Sequence, residues 1–266
     1  MDEVTGRDIT ETGEAGSAVL YLFSPDGHFV GRVSVTGEQI VHRAPVLLPV
    51  EALDRCHVST WTNAGAGQLF HSPAQGSGIE ERAVSLIEGE DTFHGTPDDL
   101  FFGHARLAPV GAAGPEVITL ARKNARMRIT VRGLDRRIPE DRYYLTVEIP
   151  NDGYDFVGNP IAGTARVRRT GAIHDNGDFS TDEAFNLIHT DPAVSPAGGV
   201  TVNLYEKALG RSADRLIASV TDDDGRPISL PAGRTGNLVI DLNEGEGLSV
   251  STEITPWDEI YQWDIW

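Results

Sequence analysis

The residues best suited to bind a metal or attack a carbonyl are eight histidines and one cysteine. His28, His42, His57, His71, His94, His104, His174 and His189 are scattered along the chain. They form no His-Glu-x-x-His pair, and neither a Gly-x-Ser-x-Gly elbow nor a Gly-rich phosphate loop with Lys-Ser/Thr occurs. Cys56 opens the run Cys56-His57-Val58-Ser59-Thr60-Trp61 with no orienting partner in view, and reads as a buried, inert thiol. A single cysteine also rules out an intrachain disulfide or a cysteine-built zinc site. Asn176, Asp178, Ser180 and Asp182 are spaced like calcium-loop ligands. Thr181 replaces the turn glycine, however, and Leu187 stands where a bidentate glutamate is needed. Asp222-Asp223-Asp224-Gly225 reads as a hairpin turn, and no two carboxylates stand out as a hydrolytic pair. The expectation is a chain without cofactor, metal or catalytic set.

Charge narrows the partners. Twenty-two basic and 40 acidic side chains give a net charge of −18, which repels phosphate backbones and argues against nucleic acid. Basic residues are dense only between Arg122 and Arg142. Arg126, Arg128 and Arg132 there alternate with Met127, Ile129 and Val131, which marks the outward face of one strand. Such a row can pair with acids on a neighbouring strand or meet the acidic surface of another subunit. No apolar stretch approaches the ~20 residues of a spanning helix. The polar opening Met1-Asp2-Glu3-Val4-Thr5-Gly6 carries no export signal. It fits either a cytoplasmic start or a mature protein whose targeting segment has been removed.

The C-terminal end is the most unusual stretch. Thr255–Trp266 holds three of the four tryptophans. Trp257, Ile260, Tyr261, Trp263, Ile265 and Trp266 are the candidate subunit-contact residues. An aromatic end of this kind completes its own sheet or is offered to a neighbour's.

The elements that must position these residues are strands. Arg126–Arg132, Tyr143–Ile149, Val200–Tyr205, Gly236–Leu242 and Leu248–Ile254 alternate with period two. Ala18–Phe23 is apolar throughout, as a strand buried on both faces would be. Ser24-Pro25-Asp26-Gly27 and Asp223-Asp224-Gly225 mark hairpins, the second between Arg215–Val220 and Pro227–Leu230. Twenty-nine glycines and 15 prolines leave little room for helices. Only Thr96–Leu100 and Ser180–Glu183 carry helix-start chemistry. Many short strands predict an all-β protein of packed sandwiches. With 39% hydrophobic residues the chain can fill two cores. The turn-rich stretch from Pro150 to Gly163 places a boundary near residue 155, giving domains 1–155 and 156–266.

In sequence order the segments resemble the fimbrillin anchor family of Bacteroidales surface fimbriae. The segments are Leu20-Tyr21-Leu22-Phe23 with Asp26–Val30, Val58–Asn63, Asp99-Leu100-Phe101-Phe102-Gly103, Leu120–Arg122 with Met127–Leu134, Tyr154-Asp155-Phe156, Phe185-Asn186-Leu187 and Ile254–Trp257. The resemblance implies two tandem transthyretin-like β-sandwich domains, display on the outer membrane as a lipoprotein, and assembly with other fimbrial subunits by strand addition. The lipid-bearing N-terminal cysteine of such lipoproteins is not in this chain, and Cys56 lies too deep to replace it. Two competing readings are a carbohydrate- or matrix-binding adhesin module, which needs exposed aromatics, and a hydrolase, which needs facing carboxylates in a cleft.

Overall fold

The computed structural model describes residues 10, 12–49, 55–107, 117–190, 198–210, 213–242 and 248–257. It is almost wholly strand and turn, as expected. None of the helices among the described residues is long and apolar enough to cross a membrane. The chain groups into two compact units, both discontinuous in sequence. One comprises Met1–Ile87, Pro97–Asn124 and Gly153–Ile161; the other comprises Glu88–Thr96, Ala125–Asp152 and Ala162–Trp266.

In the first unit, β1 (Ser17–Phe23) turns into β2 (Phe29–Thr36) through Ser24–His28, with Gly27 at φ 83°. This is the hairpin that Asp26-Gly27 predicts. β3 (Cys56–Thr62) flanks β1 on its other side. β4 (Gln68–Phe70) and β5 (Arg82–Leu86) pair with each other, and β5 also takes residues 153–155 as a partner. β6 (Phe101–Leu107) and β7 (Ala121–Arg122) complete the sheet order β2-β1-β3-β6-β7.

Two-sided burial accounts for the unbroken apolar run of β1. Ala18, Leu20 and Leu22 cluster with Val35, Cys56 and Val58 under Ile40, Val46 and Leu48. On the opposite face, Tyr21 and Phe23 pack on Phe156 with ring centroids 4.8 and 5.3 Å apart. Trp61, fully buried, sits between Phe102 (4.7 Å) and Tyr154 (5.2 Å). Aromatics of this size dominate a small core. α1 (Gly37–Val41) starts at a capping box in which the Thr36 hydroxyl accepts from the Gln39 N–H and the Gln39 side chain accepts from the Thr36 N–H. The helical turn expected at Thr96–Leu100 does not form, and the stretch is irregular. The Asp98 N–H donates to Gln68 (2.7 Å) and Asp99 is held by Arg122, so tertiary bonds override the local cap signal.

The second unit holds most of β8 (Asn124–Arg132), β9 (Tyr143–Asp155) and β10 (Pro160–Arg169), whose Asn124, residues 153–155 and residues 160–161 fall in the first, and all of β11 (Gly171–Ile173), β12 (Phe179–Thr181), β13 (Phe185–Ile188), β14 (Thr201–Glu206), β15 (Arg215–Val220), β16 (Asp222–Asp223), β17 (Arg226–Pro227), β18 (Arg234–Asp241) and β19 (Ser249–Pro256). One sheet runs β11-β12-β8-β18-β19, with β8 and β18 parallel and β18 and β19 antiparallel. A second places β14 beside residues 143–148 of β9, with β15 outside it and β10 also on β9. Met127, Ile129, Val131, Leu145, Val147, Leu204, Leu238 and Ile240 are buried, so four of the alternating patterns point their apolar set inward; in the fifth, Leu248–Ile254, the apolar ends Leu248 and Ile254 are exposed, as befits a strand at the rim of its sheet. Ser180–Glu183 is not a helical turn either. Ser180 and Thr181 lie in β12, where the Thr181 hydroxyl accepts the Ile129 N–H at 3.3 Å. The β16–β17 turn has Asp224 and Gly225 both at positive φ, 57° and 77°, as a two-residue type I′ turn requires.

Candidate functional site

Of the six candidate contact residues, Trp257 lies among the described ones. It is 4% exposed and continues directly from β19. The Arg126 guanidinium covers its ring at 4.7 Å. Its carbonyl accepts from the Thr235 hydroxyl at 3.1 Å and from Arg126 Nη1 at 3.4 Å. Trp257 is therefore part of the second unit's own packing. Ile260, Tyr261, Trp263, Ile265 and Trp266 lie outside the described residues. β19 is the terminal strand of its sheet, paired on one side by β18. On its other side, among the described residues, the Thr252 N–H donates to the Asp223 carboxylate of the β16 hairpin at 2.8 Å.

A second constellation sits in the first unit and gathers residues that are far apart in sequence. Asn63 follows β3 in the left-handed region at φ 59°. Its Oδ1 accepts from the Gly16 N–H (2.8 Å), and its Nδ2 donates to the carbonyls of Glu14 (2.8 Å) and Asp99 (2.6 Å). Arg122 of β7 has a side chain only 4% exposed. Its Nε and Nη2 grip both oxygens of Asp99 at 2.7 and 2.6 Å, and Nη2 also reaches Glu14 at 2.6 Å. The guanidinium stacks 4.8 Å from the Phe101 ring. Burial works against its charge, but the bonds and attraction of Asp99 and Glu14 outweigh that and hold its pKa above the ordinary value. Thr62 Oγ1 accepts from the Phe101 N–H (2.9 Å), and Asn124 Oδ1 accepts from the Leu100 N–H (2.9 Å). This network ties residues 14–16 to the ends of β3, β6 and β7.

Charge density alone puts Arg122 on a surface with its basic neighbours; in the fold it is a buried clamp. The legible signal was elsewhere. Asn63, Asp99 and Arg122 all belong to segments that carry the family resemblance, and the fold brings those segments to one place.

The histidines fall at separate places. His71 bonds to Ser85 (2.9 Å), His94 accepts from the Arg166 N–H (3.2 Å) and His174 bonds to Ser180 (2.6 Å). His57 and His104 form a stacked cross-strand pair, Nδ1 to Nε2 at 3.3 Å, with Arg106 on His57 Nε2. A donating arginine leaves that nitrogen as acceptor, so the remaining His57 N–H points at His104. No group of three or more His, Cys, Asp or Glu side chains placed to hold a metal occurs among the described residues. An open groove of about 480 Å³ between the end of β15 and the start of β19 contains Asp222 and Asp224. Asp222 there is engaged with the Gly225 N–H (2.9 Å) and the Thr221 hydroxyl (3.1 Å), which makes it a turn former.

The sequence model of the family described as fimbrillin-A associated anchor proteins Mfa1 and Mfa2 matches residues 1–263. The chain belongs to this family. The major fimbrium anchoring subunit FimB of Porphyromonas gingivalis is 25% identical over 97% of this chain and 84% of its own length. Among solved structures, the fimbrial anchor protein Mfa2 from Porphyromonas gingivalis aligns with a TM-score of 0.60 at 13% identity, covering 92% of this chain and 90% of that one. A candidate polysaccharide-binding protein from Bacteroides thetaiotaomicron aligns with a TM-score of 0.69 at 15% identity, covering 96% and 93%. The two structural likenesses show a shared fold. For an anchor-family chain, the network around Arg122 has a plain meaning: it fastens the start of the fold to the sheet that carries it.

Proposed function

We propose that this chain is a structural, non-catalytic subunit of a bacterial surface fimbria, of the anchoring type. Its two units are transthyretin-like sandwiches that meet other fimbrial subunits by strand addition. In this reading it is held at the outer membrane by a lipid on a cysteine preceding the chain, and Ile260, Tyr261, Trp263, Ile265 and Trp266, beyond the packed Trp257, contact a neighbouring subunit. The observation that carries the reading is the family match along residues 1–263. It is supported by the place of β19 at the rim of its sheet, where β18 is its one strand partner among the described residues, since a rim strand is a template for another chain.

The adhesin reading has less support. Sugar recognition of the expected kind needs an aromatic face open to solvent. The large exposed apolar side chains among the described residues are aliphatic, such as Leu47, Val117 and Leu209. Tyr144, on the outer face of β9, has Arg168 on one side at 3.9 Å and Tyr205 stacked at 5.1 Å, so its faces are taken.

The burial of Thr255 and Trp257 dictates how the test is cut, because a deletion reaching them would open the second unit's core. Removing residues 258–266 spares both. The expected result is an unchanged far-ultraviolet circular dichroism spectrum with loss of assembly onto the purified cognate shaft subunit. A folded truncation that assembles normally would remove this segment from the contact.

A further inference from the structure

His57 of β3 and His104 and Arg106 of β6 lie on one face of their sheet. The register sets His57 directly across from Arg106 and puts His104 across from Ser59, two positions along. His104 and Arg106 are exposed and His57 is half-buried, so the group is open to solvent. The strands on either side bring no carboxylate to it. Phe23 of β1 stands across from His57 on the far side of β3, and β7 pairs only with Phe101 and Phe102 of β6. Asp26, in the turn that follows β1, is taken up by Ser24 and His28. The charged groups that act on His104 are His57 and Arg106, both basic. A chain with 40 acidic side chains thus gathers three basic ones with no carboxylate bonded to any of them among the described residues.

Neutral imidazoles suit this arrangement and charged ones do not. Arg106 donates to His57 Nε2 at 3.3 Å, and His57 Nδ1–H donates to His104 Nε2 at 3.3 Å, a chain of bonds that ends on a lone pair. A proton taken up by His104 goes to that lone pair, because its other nitrogen already carries a hydrogen. Two N–H groups then face each other across 3.3 Å. A second proton, on His57 Nε2, removes the acceptor that Arg106 uses. Fully protonated, the three side chains are donors only, and like charges directly across a ladder repel. An acceptor with at least two oxygens satisfies all of them. One oxygen about 2.8 Å from each facing nitrogen closes a triangle on the 3.3 Å base, and another can meet the freed guanidinium.

We propose that His57, His104 and Arg106 form an acid-dependent binding site for an oxyanion: a sulfate, phosphate or carboxylate group with at least two free oxygens. Above neutral pH the three side chains satisfy one another, and the chain's net charge of −18 repels anions. As pH falls through the imidazole range the same side chains become donors in need of an acceptor. Their contacts with the ligand are direct, whereas the field of the rest of the chain is screened beyond about 8–10 Å. The inference stands whether or not the chain anchors a fimbria, because it concerns one face of the first unit's sheet.

Inorganic sulfate is the probe. The imidazole signals are followed by nuclear magnetic resonance from about pH 8 to about pH 5.5, in sodium chloride and in sodium sulfate of equal ionic strength, so that screening is held constant. Sulfate should raise the titration midpoints of His57 and His104. It should also bind about tenfold more tightly at the acid end, since protons favour the ligand by the factor that the ligand favours protons. His174, exposed in the second unit and bonded to Ser180, should titrate alike in both salts. Arg106→Gln should remove most of the sulfate effect on both histidines while the circular dichroism spectrum stays native. Equal midpoints in the two salts for the native chain overturn the proposal, and so does a shift that His174 shares in full. Glu51 and Asp54 precede β3 and lie outside the described residues. If Glu51→Gln/Asp54→Asn makes sulfate bind more tightly, the chain's own carboxylates fill the place and the site for an external oxyanion falls; unchanged binding supports it.

Discussion

At the scale of single residues, Arg122 does the most. Its guanidinium meets two carboxylates about 30% exposed, so Arg122→Ala would leave Asp99 and Glu14 facing each other with nothing between them. Removing one member of a buried ion pair costs about 3–5 kcal/mol, and the partial exposure of the acids puts the expected loss near the lower end. Urea unfolding of the variant should show it, and Glu14→Gln, which leaves the Asp99 fork intact, should lose under about 1 kcal/mol. Equal losses for the two would mean that the fork is not the stabilising part. Asn63→Gly separates two effects at one position. Glycine keeps the left-handed backbone, so any loss reports the three side-chain bonds alone. Histidines give a pH dependence with a definite sign. Burial, then Arg82, holds His71 below the ordinary imidazole value; burial, then His57 and Arg106, does the same for His104. The unfolded chain takes up protons near pH 6.5 while the folded one resists. Both histidines thus contribute stability that is present above that pH and lost as pH falls through it. Between pH 8 and 5, stability should fall less steeply in a His71→Gln/His104→Gln variant than in the native chain; matching slopes would sink the argument. None of these roles could be read from residue type, because each depends on burial and on partners that only the fold brings together.

At the scale of elements, legibility followed locality. The alternation from Arg126 to Arg132 told which side of β8 faces inward, and the Asp-Gly pairs told where the chain turns after β1 and after β16, because these signals act within a few residues; the second turn joins the short β16 and β17 rather than Arg215–Val220 and Pro227–Leu230, since Arg215–Val220 pairs with β14. The two expected helical turns failed where long-range bonds competed with local caps: Asp99 answers Arg122, and Thr181 answers Ile129. The helix that does form, α1, has the capping-box spacing Thr36-x-x-Gln39, a readable signal in a stretch that the strand patterns pass over. Five residues cannot hold a helix by themselves. Thr36→Ala should therefore cost about 1 kcal/mol and loosen the cover over Leu20 and Leu22. Protection of the 37–48 amides in hydrogen exchange should drop while β3 stays unchanged. Gly103 in β6 is required for a different reason. A β-carbon there would stand 2.5 Å from the Thr119 carbonyl oxygen and 2.8 Å from Ile118. Backbone cannot yield as a side-chain tip can, so Gly103→Ala should cost about 1–3 kcal/mol of overpacking, read as a lower melting temperature. A variant as stable as the native chain would mean that residues 118–120 are free to move off β6.

At the scale of the whole molecule, the two ends of the chain are held differently. β1 lies inside its sheet, paired with β2 along one side and β3 along the other, and the stretch before it is gripped by Asn63 and Arg122. β19 lies at the rim of its sheet with β18 as its one strand partner among the described residues, and one of its eight residues is fully buried. A strand paired on both sides and buried on both faces can open only when the unit around it unfolds, whereas a rim strand can detach locally at smaller cost. In the role proposed above, tethered at its beginning and joined to a neighbour at its end, the chain would gain from this arrangement: the start would bear load and the finish could exchange partners. Hydrogen exchange resolves the difference directly. Amides of Val19–Leu22 should exchange only at the rate set by unfolding of the first unit, and urea should speed that exchange steeply. Amides of Ser251–Ile254 should exchange earlier through an opening that urea hardly affects, and Arg126→Ala, by freeing Trp257, should quicken them further without touching β1. Protection of β19 equal to that of β1, with the same urea dependence, would show a C-terminal strand as firmly locked as the first, and strand exchange at that end would have no low-cost route.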